Sequence, residues 1–107
     1  MKRLLDKSVL EKCKAAVRKV VPDADIILFG SRARGEAKEY SDYDLLILVD
    51  QKSDVKLYEN ILDQVYPVEL ETESMISFVV QNRDNWNSPL SRAMPFHKNI
   101  DREGILI

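Results

Sequence analysis

The stretch Asp42 to Asp50, DYDLLILVD, constrains the fold more than any other part of the chain. In strand register Asp42, Asp44, Leu46 and Leu48 share one face, and Tyr43, Leu45, Ile47 and Val49 share the other. Both faces turn apolar after Asp44, so this strand has to be covered on two sides. The fold class to expect is α/β, a small mixed β-sheet with helices packed mainly on one face. With 107 residues, the chain has room for a single domain over residues 1–107 and not for two. So small a domain buries only part of its apolar surface, and a second subunit, another copy or a different protein, is expected to cover more.

The flanking sequence supplies the other elements. Apolar residues at Val9, Leu10, Cys13, Ala16, Val17 and Val20 form a helical stripe over Asp6 to Val20, which Pro22 stops. Ile26-Ile27-Leu28-Phe29 reads as a buried strand running into a turn at Gly30. Ser31 to Lys38 reads as one or two helical turns, with Ser31 as the cap and Gly35 at or near the end. After a polar link at Gln51 to Asp54, residues Val55 to Tyr66 form a helix that Pro67 interrupts. Val68 to Glu73 fits either a strand or another helical turn. Ile76 to Val80 is a third strand, and Arg83 to Asn87 starts a helix capped by Asn82. The tail from Ser88 is polar and proline-bearing, and Ile100 to Ile107 has no clear assignment.

Charge and composition exclude several functions. A net charge of −2 and a pI of about 5.4 argue against a general nucleic-acid binder, while one or two local arginines suffice for a triphosphate. A single cysteine, Cys13, permits no internal disulfide and falls on the buried stripe of the first helix. The N-terminus is charged before any long apolar core, and the longest uninterrupted apolar run, Leu45 to Val49, is far too short to span a bilayer. A cytoplasmic protein without a membrane partner is expected.

The residues that carry chemistry lie between two strands. Gly30-Ser31 ends the first, and after ten intervening positions Asp42-Tyr43-Asp44 opens the second. Glycine lets the backbone approach a phosphate closely, serine adds a hydroxyl donor, and the following helical turn presents free N–H groups. Two carboxylates two apart on a strand project to one side and repel unless a cation lies between them. Hard oxygen ligands beside phosphate favour Mg²⁺, and phosphoryl-transfer sites commonly hold two such ions about 3.5–4 Å apart. The block lacks the Gly-Lys-Ser/Thr of a P-loop.

The segment GSRARGEAKEYSDYDLLILVD, Gly30 to Asp50, resembles the signature of the DNA polymerase β-like nucleotidyltransferase superfamily, and most of all its minimal prokaryotic members. The tail, from Trp86 through PFHKNIDREGILI, is similar to that of many such small proteins. The resemblance implies that Gly30 and Ser31 bind the phosphates of a nucleoside triphosphate, ATP being the first choice, and that Asp42 and Asp44 hold two Mg²⁺ ions. Minimal nucleotidyltransferases are often encoded beside a HEPN-domain protein as toxin and antitoxin, so the implied acceptor hydroxyl includes a tyrosine of such a partner. The superfamily usually adds a third carboxylate on a later strand. Glu69 or Glu71, with Glu71 preferred, supplies it if residues 68–72 are a strand. If they are helical, the later strand begins near Met75 without a carboxylate, and transfer would be reduced or lost.

Arg32 and Arg34 read equally well as triphosphate ligands or as a solvated helix face, with Arg32 nearer the cradle. His97, the only histidine, is expected at the surface or an interface rather than in catalysis. Trp86 and Phe96 are expected to pack rather than stack on a base. Tyr40 and Tyr43 flank the acids, and Tyr43 is expected in the core. Two functions remain open: an enzyme moving a nucleoside monophosphate to a hydroxyl, or an antitoxin that neutralises its partner by binding, with a weak or vestigial nucleotide site. Nothing in so short and acidic a chain suggests template-directed synthesis.

Overall fold

The computed structural model describes residues 7–36 and 41–107. Among these, six helices and four strands follow in the order α1 (Lys7–Val20), β1 (Asp25–Phe29), α2 (Ser31–Arg34), β2 (Tyr43–Val49), α3 (Val55–Thr72), β3 (Ile76–Asn82), α4 (Arg83–Trp86), α5 (Pro89–Ala93), α6 (Pro95–Glu103) and β4 (Ile105–Leu106). The strands form one mixed sheet, β3-β2-β1-β4. β2 runs antiparallel to β1 and parallel to β3, and β4 pairs antiparallel with β1. Asp6, Lys38 and Tyr40 of the sequence reading lie outside the described residues.

Alternation along β2 divides the core as its sequence requires. Tyr43, Leu45, Ile47 and Val49 pack with the buried stripe of α1 (Val9, Leu10, Cys13, Ala16, Val17) and with Leu57, Ile61, Val65 and Val68 of α3. Leu46 and Leu48, on the other face, pack against Trp86 and Ile100 from the C-terminal helices. The chain therefore covers the second face of β2 itself and does not leave it for a partner. Cys13 is fully buried, and burial pushes its thiol up to about 12, so it behaves as a small core residue.

The longest departure from the sequence reading is α3, which runs through Pro67 to Thr72 and takes in all of the ambiguous stretch but Glu73, its left-handed C-cap. Asp54 caps its start, its Oδ1 accepting from Leu57 N–H at 2.9 Å. Val65 and Val68 are buried on either side of Pro67, while Pro67 itself faces solvent. Tertiary burial of that face outweighs the lost N–H and the crowding of the ring. The tail, unassigned in sequence, becomes two short helices, each opening on proline, and the edge strand β4. Asn82 caps α4 as expected, its side chain accepting from Asp84 and Asn85 N–H.

Because Pro67 sits on the exposed side of an otherwise regular helix, Pro67→Ala should stabilise the protein by about 1–3 kcal/mol in urea unfolding, with an unchanged m-value. A loss of stability would mean that the proline shapes the packing of α3.

Candidate active site

β1 enters the site at Phe29 and turns sharply at Gly30. Gly30 has φ 78° and ψ −161°, a conformation that side-chain-bearing residues rarely adopt. A Cβ there would collide with Asp44 Oδ2. Glycine therefore does two things here: it makes the turn, and it leaves room for the carboxylate against the backbone. Ser31 is the first residue of α2, but the capping position belongs to Gly30 and no side chain caps the turn. α2 is one turn long, closed by Gly35 in the left-handed conformation as the sequence suggested. A single turn has little macrodipole, so what it offers an anion is its opening N–H groups and the Ser31 hydroxyl.

Asp42 lies just before β2, and Asp44 is the strand's second residue. Asp44 stands opposite Phe29 on β1 and Ser77 on β3. The Ser77 hydroxyl donates to Asp42 Oδ2 at 3.3 Å. Partial burial, and then the neighbouring Asp42 charge, raise the Asp44 pKa, while Arg34 pulls it down. The chemistry of this donor set fits Mg²⁺, which takes one or two protein carboxylates and completes its shell with water and phosphate. No group of three His, Cys, Asp or Glu side chains suited to a metal occurs among the described residues. Asp42 and Asp44 would thus hold the ion, which when bound supplies positive charge to the phosphates.

Glu71 does not join this site. Residues 68–72 are helical, and α3 lies against the Tyr43 face of β2, on the opposite side of the sheet from Asp44. Glu71 pairs instead with Lys12 of α1 at 2.7 Å, and Glu69 accepts from Ile76 N–H at 3.1 Å. On β3 the residue facing the acids is Ser77, so the later strand brings no carboxylate.

The two arginines exchange the ranks that sequence position suggested. Arg32 is buried, with its guanidinium 4.0 Å over the Tyr43 ring and its Nε donating to Ser41 O at 2.9 Å. Side-chain direction in so short a turn carries it inward, where it holds the start of β2. Arg34 is half-exposed, acts electrostatically on Asp44, and is clasped by Glu36 and by Glu103 of α6 at 3.3 and 3.1 Å. Ser77 and Glu103 were invisible in sequence, because their places depend on β3 pairing and on the return of α6. Trp86 and Tyr43 do pack in the interior, and Phe96 packs edge-on against Phe29 and Trp86 while remaining 39% exposed. His97, expected at the surface or an interface, is 5% exposed and stacked on Trp86, because α6 folds back onto the sheet.

Residues 10–99 match the family described as the nucleotidyltransferase domain. The chain belongs to this family. A Methanocaldococcus jannaschii relative named "Putative protein adenylyltransferase" is 34% identical over 79 residues, which span 74% of this chain and 72% of the relative. A Haemophilus influenzae relative, "Probable protein adenylyltransferase MntA", is 44% identical over 41 residues, 38% of this chain and 36% of the relative. Among solved structures, a crystal structure of a toxin-antitoxin with AMP-PNP superposes with a TM-score of 0.64, over 95% of this chain and 72% of that one. At 17% identity that likeness concerns the fold. Within this nucleotidyltransferase domain no described helix is long and apolar enough to cross a membrane.

The raised pKa of Asp44 has a consequence for stability. A carboxylate whose folded pKa lies above its unfolded value weakens the fold while ionised, and that penalty fades as pH falls through the folded pKa toward the ordinary carboxylate range. Without ligand, Asp44→Asn should therefore raise Tm at neutral pH, and the gain should shrink toward zero near pH 4. A gain independent of pH would mean that Asp44 carries no such penalty.

Proposed function

We propose that this domain transfers AMP from ATP to a hydroxyl of a partner protein. The observation that carries this reading is the close approach of the Gly30 backbone to Asp44, which sets a phosphate cradle against a carboxylate pair on one sheet face. Gly30, Ser31 and Arg34 receive the triphosphate, and Asp42 and Asp44 would hold Mg²⁺, one ion or two, which would supply positive charge to the phosphates. Arg32 and Glu103 act by positioning, the first on the start of β2 and the second on Arg34. The acceptor oxygen bonds to the α-phosphorus, the bond to the pyrophosphate oxygen breaks, and the acceptor proton passes to water. Names of the relatives support adenylyl transfer to protein. The family resemblance supports a HEPN-domain partner with a tyrosine acceptor, in the cytoplasm.

A second reading, neutralisation of that partner by binding, draws on two observations. Ser77 stands where a third carboxylate would complete the site. α3 also presents Val55, Tyr58, Leu62, Tyr66 and Leu70 to solvent at three- and four-residue spacing, an apolar stripe bordered by Glu59, Asp63 and Glu73. This surface replaces the Leu45–Val49 strand as the place where a partner would dock.

The two readings separate on incubation with α-labelled ATP, Mg²⁺ and the product of the neighbouring gene. Transfer predicts a labelled partner with wild type and at least about a hundredfold less label with Asp42→Asn, the scale on which loss of an electrostatic catalytic group acts. Equal neutralisation of the partner by wild type and by Asp42→Asn/Asp44→Asn, without label, would leave binding as the function.

A further inference from the structure

A cavity of about 610 Å³ lies on the same sheet face as the acid pair, between β3 and the C-terminal helices. Its lining includes Trp86, Leu90, Met94 and Phe96, together with Gln81 and Asn85. Trp86 is nearly buried and braced by His97, whose ring lies parallel to it at 4.2 Å. Leu90, Met94 and Phe96 are exposed by 77%, 53% and 39%. Among the described residues none hydrogen-bonds to the side-chain amide of Gln81 or Asn85. The cavity is thus apolar and aromatic, with unengaged amides, and lies in the size range of small-molecule sites.

Its position relates it to the acids. Phe29, the cross-strand partner of Asp44, meets Phe96 edge-on at 5.4 Å, and Phe96 meets Trp86 at 5.8 Å. Along β3, Gln81 stands opposite Leu48, four residues beyond the pairing of Ser77 with Asp44. At ~3.3 Å per residue that is about 13 Å, a separation one extended nucleotide bridges.

We propose that this cavity is the nucleobase subsite, taking the adenine of an ATP whose phosphates rest at Gly30 and Asp42/Asp44. The proposal rests on the triphosphate reading of that site. A purine has an apolar face for Leu90, Met94 and Phe96, and an edge of donors and acceptors for the Gln81 and Asn85 amides. Trp86 acts as the floor rather than as a stacking platform, in keeping with its burial. An apolar partner side chain would use the walls and leave both amides unanswered.

Trp86 is the only tryptophan, so its fluorescence reports on the cavity alone. In the presence of Mg²⁺, ATP should change Trp86 emission, whereas inorganic triphosphate should bind without changing it. By calorimetry, Leu90→Ala/Met94→Ala should weaken ATP at least about fivefold, the low end for base stacking, and leave triphosphate affinity unchanged. If triphosphate binds, but ATP binds no tighter and the double variant behaves like wild type, the cavity is not a base subsite. A Trp86 response to N-acetyltyrosinamide and not to ATP would assign the cavity to the acceptor and equally overturn the proposal. If neither ATP nor triphosphate binds wild type, the phosphate site itself fails, and the subsite with it.

Discussion

β2 is hydrogen-bonded on both edges and packed on both faces, and that double burial fixes where its acids must lie. Leu45 to Val49 have no exposed position to spare, so the strand can present carboxylates only at its beginning, before the two layers close over it. The same register that sends Tyr43 into the α1/α3 core sends Asp44 to the opposite face. β1 then delivers Gly30 beside Asp44 because the two strands are antiparallel and adjacent. A shift of one residue in that pairing would turn every β2 side chain over and place the acids in the core.

Two carboxylates share this face, and one is strained by burial and by its neighbour. An acid pair of that kind is costly to the empty fold and complementary to a cation. The surrounding groups fit this reading: Ser77 supports Asp42, and Arg34, held by Glu103, lends positive charge without neutralising either acid through direct pairing. The site is short of a third carboxylate and relatively open beside β3, where Ser77 and Val79 are exposed. Under the proposed function, such a site would suit positioning a metal–nucleotide better than fast proton abstraction.

Much of this was legible in sequence because it depends on local pattern. The double apolar register of Asp42 to Asp50, the stripe of α1, the glycine between strand and turn, and the Asn82 cap are each written within a few residues. What escaped depends on tertiary context. Pro67 reads as a break until Val65 and Val68 are seen to hold the helix on both sides of it. Glu71, a candidate site carboxylate only if residues 68–72 are a strand, becomes an α1–α3 ion pair once the helix continues. Arg32 and Arg34 cannot be ranked by distance from Ser31, since a single turn carries one onto Tyr43 and leaves the other paired with Glu36 and Glu103, close enough to act electrostatically on Asp44. His97 and Glu103 owe their places to α6 folding back over the sheet, which no short-range spacing encodes.

Under the proposed function, Gly30, Asp42 and Asp44 together form a metal-dependent triphosphate site. Isothermal titration of ATP into wild type, Asp44→Asn and Gly30→Ala, each with Mg²⁺ and with EDTA, tests it most directly. The structure predicts binding by wild type only with Mg²⁺, and at least about a tenfold loss in both variants, on the scale of removing a charged ligand or filling the cradle. Equal affinity across the three proteins, or binding by wild type that ignores EDTA, would contradict it.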